Sequence, residues 1–136
     1  MIKPVIVDTN ILFSALLRNG KYLRERITDS NYIFYAPNFL FVEIFKHKER
    51  LLENTEAPED EVLEYLNLIL RNLNFVSEEE ISTGNLIHAN RLCTRVDEDD
   101  TLFDALSLEI EAELWSRDKE LKSHLKKNGF DSFFEE

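Results

Sequence analysis

The sequence has a single cysteine, Cys93, among 136 residues, so neither a disulfide framework nor a cysteine-based zinc site can be built from it. Cys93 falls with Leu86, Ala89 and Leu92 at helical spacing, which assigns the thiol to a buried face. Long apolar runs are missing as well. Nothing approaches the roughly 18 residues that a membrane span needs, and no basic-then-apolar leader ending in small residues opens the chain. The expectation is a cytoplasmic protein without a membrane partner. No Ser-His-Asp, Cys-His or P-loop pattern occurs, and His47, His88 and His124 fall at unrelated places in predicted helices, which argues against a paired histidine acid–base mechanism.

Positive charge is also scarce. Sixteen Lys and Arg face 27 Asp and Glu, a formal net charge of −11, a poor fit to a nucleic-acid surface that relies on a basic patch. The distribution softens that objection. Nine acids lie between Asp97 and Asp118 against one base, Arg117. Arg18, Lys21, Arg24 and Arg26 cluster early, and Lys46, His47, Lys48 and Arg50 follow Glu43 within two helical turns. Each basic cluster reads either as a solvated helix face or as a track for phosphates.

With 43% hydrophobic and 32% charged residues the chain is globular rather than disordered. Its length suits one domain spanning 1–136. The run 2–7 is nearly all apolar and β-branched, as in a strand buried on both faces of a parallel sheet. Ile11 to Leu17 reads as a buried helix with Asn19-Gly20 as its stop, and Lys21 to Asp29 as a more polar one. Residues 32–36 form a second strand, and Pro37-Asn38 opens the helix that carries Glu43, with Val42, Phe45, Leu51 and Leu52 as its apolar stripe. Pro58 opens a further helix with Val62, Tyr65, Leu66, Ile69 and Leu73 inward. A third strand is expected over 74–77, helices over 80–95 and 100–112, a fourth strand over 113–116, a helix over 119–127 and an edge strand over 130–134. Alternation of this kind predicts a three-layer α/β/α sandwich around a central parallel sheet of about four to five strands.

Four acids sit at strand-to-helix junctions or helix starts. Asp8 ends the first strand, Glu43 lies in the first turns of its helix, Asp100 starts a helix, and Asp118 follows the fourth strand. Open α/β sheets place ligands beyond the carboxyl ends of their strands, and carboxylates converging there repel one another unless a cation lies among them. Each has a plainer reading. Asp8, Asp100 and Asp118 could cap helices, and Glu43 could pair with a base on its own helix. Asp97 and Asp99 are alternatives to Asp100.

Val7-Asp8-Thr9-Asn10, the spacing from Pro37 to Glu43, the run from Asp97 to Phe103 continuing into Ala105-Leu106, and Leu114-Trp115-Ser116-Arg117-Asp118-Lys119-Glu120-Leu121 together resemble the PIN domain family over essentially the whole chain. The resemblance implies a metal-dependent ribonuclease, often the toxin of a VapC-type toxin–antitoxin pair. It implies Mg²⁺ or Mn²⁺ held by Asp8, Glu43, Asp100 and Asp118, with Asn10 and Ser116 as supporting polar groups. RNA is then the substrate, an antitoxin a partner and a homodimer an option; the charge distribution, separately, offers Lys46, Lys48 and Arg50 as RNA contacts. Three positions depart from the family. Ser116 replaces the commoner Thr and keeps its hydroxyl. Arg117 stands where a small residue is usual, and either obstructs the rim or meets a phosphate. Asp104 replaces an apolar or small residue, reading as a solvated or capping acid or as a further acid near the metals. The rival functional reading is a catalytically weak or inactive PIN-type module that binds RNA or protein. A receiver-like signalling domain lacks support, since no acidic pair ends the first strand.

Overall fold

A computed structural model describes residues 2–93 and 98–136. Strand β1 (Lys3–Val7) leads into α1 (Thr9–Ala15) and α2 (Lys21–Ile27), and β2 (Tyr32–Pro37) into α3 (Phe39–Asn54) and α4 (Glu59–Arg71). Then β3 (Leu73–Val76) leads into α5 (Thr83–Cys93) and α6 (Thr101–Ile110), and β4 (Glu113–Trp115) into α7 (Lys119–Lys127). The described strands form one parallel sheet in the order β3-β2-β1-β4, flanked by the helices. This is the α/β architecture that the alternation predicts.

Residues Val5, Ile6 and Val7 are fully buried, because β1 has a neighbour on each side and helices above and below. The chain winds from β1 through β2 to β3 on one side of the sheet and returns to the other side for β4. That reversal makes the carboxyl ends of β1 and β4 a switch point, where the diverging connections leave a crevice. Among the described residues no helix is long and apolar enough to cross a membrane.

Several local expectations are corrected. The helix after β1 stops at Ala15 rather than Leu17, and Gly20 starts α2 rather than ending α1. A Cβ at Gly20 would collide with the Ser14 carbonyl oxygen, so a side chain is excluded where the chain turns between these helices. The face of α3 is also different. Leu40, Glu43 and Ile44 are buried, whereas Val42 and Phe45 are exposed, Phe45 by 74%. No side chain of Asn38 caps α3. The carboxylate of Glu78 does so from the turn after β3, accepting from Phe39 N at 2.6 Å. The segment 80–82 is not part of α5, and the predicted helical residues 94 and 95 lie outside the described residues. Residues 130–134 form a single parallel bridge rather than a strand. Leu114 N donates to Ser132 O at 2.8 Å and Phe134 N to Leu114 O at 2.9 Å.

Candidate functional site

Asp8 is 3% exposed at the end of β1. Its Oδ1 accepts from Ile11 N at 2.9 Å, so it does cap α1. A carboxylate has about four acceptor positions, and this bond occupies one of them. The Ser116 hydroxyl, which follows β4 and is also buried, bonds to Asp8 and accepts Asp118 N at 3.1 Å. One hydroxyl thus links the two strand ends. Burial pushes the Asp8 carboxyl up to about 6, the bonds from Ser116 and Ile11 oppose the rise, and the charge of Asp118 adds to it. Among the described residues no Lys or Arg pairs with Asp8 or Asp118. Asp118 in turn caps α7, accepting Leu121 N at 3.1 Å.

The other two acids meet beside this pair, in a cleft of about 280 Å³ whose walls include Thr9, Asn10, Glu43, Asp99 and Asp100. Glu43 is 5% exposed, and its Oε2 lies 3.3 Å from His47 Nε2. Asp100 holds the N-cap position of α6 but makes no capping bond with its side chain, so the plain capping reading fails for it. Lys46 Nζ lies 3.8 Å from Asp99 Oδ2 across the cleft, both ends about half exposed. Asp97, the other alternative to Asp100, lies outside the described residues.

The structure therefore places Asp8 beside Asp118, and puts Glu43 and Asp100 on the walls of one cleft that Thr9 and Asn10, next to Asp8 in the chain, also line. Among the described residues, no three His, Cys, Asp or Glu side chains close into a ready metal cluster. The donor set is nevertheless all oxygen, as Mg²⁺ and Mn²⁺ prefer. Among the described residues, the buried Thr9 hydroxyl at the cleft and the Thr101 hydroxyl next to Asp100 have no hydrogen-bond partner. Mg²⁺ keeps most of its waters and takes only one or two carboxylates directly. Spaced carboxylates with unsatisfied hydroxyls fit such an ion.

The remaining candidates divide. Lys46 and Arg50 face the acid-lined cleft, but Lys48 lies on another side of α3 in an apolar groove with Phe41, Phe45 and Leu63. Arg24 is buried and donates to Ala15 O at 2.8 Å and Leu17 O at 2.7 Å, while Arg26 pairs with Asp29 at 2.7 Å. The early basic cluster is thus split, with Arg24 and Arg26 engaged within the fold and Arg18 and Lys21 exposed. Arg117 makes a two-pronged pair with Glu136, at 2.7 and 2.6 Å. Asp104 is 1% exposed, neither solvated nor a cap. Cys93 Sγ approaches its Oδ2 at 4.0 Å, its Oδ1 has no partner among the described residues, and burial pushes its pKa up to about 7. Two features escaped the sequence. His47 belongs to the cleft, which its i,i+4 spacing from Glu43 could have shown, and the apolar groove between α3 and α4 could not be told from core by composition alone.

A family model described as PIN domain matches residues 6–129. No curated protein matches the sequence. Among solved structures, VapBC2 from Rickettsia felis, crystallised with a DNA fragment from its promoter, is similar with a TM-score of 0.64 over 88% of this chain and 92% of that one. At 13% identity this likeness is one of fold.

Proposed function

From the premise that this chain belongs to the PIN domain family, given the match over residues 6–129, we propose that it is a ribonuclease dependent on Mg²⁺ or Mn²⁺, working as the toxin of a toxin–antitoxin pair. The observation that carries the reading is Asp8. A carboxylate is buried at the switch point of the sheet, beside a second acid and with no described base paired to it, an arrangement that costs stability unless a cation completes it.

Asp8, Glu43, Asp100 and Asp118 would hold the ion. When bound, it would polarise the phosphate and acidify water for the attack. The chain's own groups do the positioning. Ser116 fixes the Asp8 carboxylate against Asp118, Asn10 presents a polar side chain at the cleft, and His47 holds the Glu43 carboxylate in place. Lys46 and Arg50 offer the cleft two cations that can meet phosphate oxygens.

The rival reading is a module that binds a protein partner and cuts RNA weakly or not at all. The groove between α3 and α4 favours a partner in either case. It holds about 260 Å³, is walled by Leu16, Ile44, Phe45, Leu51, Leu63 and Leu66, and leaves Phe45 and Leu63 more than half exposed. Exposed apolar patches of this kind mark interaction surfaces, here for an antitoxin or a second copy of the chain.

The deciding experiment incubates purified protein with single-stranded RNA and Mg²⁺ or Mn²⁺, with EDTA as the control. Cleavage is expected to need the metal and to fall at least about 100-fold in Asp8→Asn and Asp100→Asn. Cleavage that survives both substitutions, or persists in EDTA, rejects the mechanism. Absence of cleavage by the parent protein selects the binding module.

A further inference from the structure

Three clefts join end to end along the seam between α1 and α3. The acid-lined cleft shares Asn10, Phe13, His47 and Arg50 with a second of about 280 Å³. The second shares Leu17 and Asn54 with a third of about 330 Å³, which opens at Arg18, Asn19 and Glu56. From Glu43 to Asn54 the seam follows α3 for about 16 Å at 1.5 Å per residue. That is too long for one ion or one phosphate, and it suits a strand.

We propose that this trough is the path of the RNA strand on one side of the scissile phosphate, with Arg50 and then Arg18 as successive backbone contacts and Phe13 as a surface for a base. The inference rests on the ribonuclease reading and adds the route and the residues.

Charge supports it first. Acids outnumber bases 27 to 16, yet among the described residues no carboxylate pairs with Arg18 or Arg50. Two such cations along one groove suit a phosphate backbone. Rigidity supports it next. Arg50 Nη2 lies 3.3 Å from His47 Nδ1, and the other ring nitrogen of His47, Nε2, lies 3.3 Å from Glu43 Oε2. The Phe13 ring meets His47 edge-on at 5.8 Å and 81°. Arg50 and Phe13 are thereby aligned to an acid of the site.

The far end is fixed as well. Arg18 N donates to Thr55 O at 3.2 Å, Thr55 Oγ1 to Leu16 O at 2.9 Å, and buried Arg24 holds the carbonyls of Ala15 and Leu17. The arginine that is unavailable for phosphate therefore anchors the loop that presents the one that is available. Aromatic faces accept any base without reading its sequence, and Asn10, Asn19 and Asn54 place amides along the same walls.

The test is a fluorescence polarisation titration of a labelled single-stranded RNA 12-mer in millimolar Ca²⁺, with the RNA checked for intactness on a gel, at several NaCl concentrations. Arg18→Ala and Arg50→Ala are each expected to weaken binding several-fold and to lower the salt slope by roughly 0.7. Arg18→Lys should restore the slope, and Lys48→Ala, outside the trough, should match the parent. Both arginines are exposed, so unfolding midpoints should not move. An unchanged slope in Arg18→Ala while the parent still cleaves RNA with Mn²⁺ overturns the path alone. A parent protein that neither binds nor cleaves the RNA overturns the path together with the ribonuclease reading.

Discussion

Asp104 is the residue whose environment fits its chemistry least. It stands among Phe103, Ala105 and Leu106 in the buried part of α6, and burial pushes its pKa up to about 7. Below about pH 4 the carboxyl is protonated in both the folded and unfolded chain, and its folded environment costs little. Between about 4 and 7 the unfolded chain loses this proton and the folded one keeps it. Stability therefore falls as pH rises through that window and levels off above it. Asp104→Asn removes the charge at nearly constant shape. It is expected to be more stable than the parent by roughly 1–3 kcal/mol at pH 8 and to match it near pH 4, as read from urea unfolding. Lower stability of the variant at pH 8 would show that the carboxylate has a compensating partner. In the sequence this acid could only be marked as unusual, because burial depends on how α5 crosses α6.

At the scale of elements, legibility followed burial on both faces. β1 was plain because Val5, Ile6 and Val7 need no alternation when helices cover both sides of the sheet. α7 was plain too, since Asp118 caps it and Leu121 and Leu125 mark its inner face. The stripe of α3 is ambiguous in the sequence because its outer side is as apolar as its inner side. Phe41, Val42 and Phe45 outweigh Leu40 and Ile44 in any count, and only the buried Glu43 shows which side faces the sheet. The positions of Asp8 and Asp118 beyond adjacent strands follow from strand order, whereas the cleft that Glu43 and Asp100 line depends on how α3 and α6 pack and is not visible in the sequence. Two glycines test the element junctions. Gly20→Ala forces a methyl group against the Ser14 carbonyl and should destabilise by about 2 kcal/mol or more, because backbone rather than a side chain must move. Gly84→Ala, in the first turn of α5 with nothing within 4 Å, should be neutral or stabilise by up to about 1 kcal/mol. Equal denaturant midpoints for the two variants would contradict the tight turn between α1 and α2.

For the molecule as a whole, the formal charge of −11 is a standing cost, and its largest concentration lies in the stretch 97–118 that includes Asp100 and Asp118. Monovalent salt should lower that cost modestly, by screening exposed charges. A divalent ion bound at Asp8 and its neighbours acts differently, because it stabilises by mass action and only in the folded state. At ten times its dissociation constant it contributes about 1.4 kcal/mol, which for a chain of this size raises Tm by roughly 4–8 °C. The effect should also depend on pH. The Asp8 carboxyl lies at about 6, and protons compete with the ion for it, so the Mn²⁺-induced shift should be full at pH 8 and much reduced at pH 5. Asp8→Asn should raise the Tm of the metal-free protein, by removing a buried charge, and at the same time abolish most of the Mn²⁺ response. An Mn²⁺ shift that NaCl of equal ionic strength reproduces, or that Asp8→Asn keeps in full, would mean that the acids are a diffuse negative surface rather than a site.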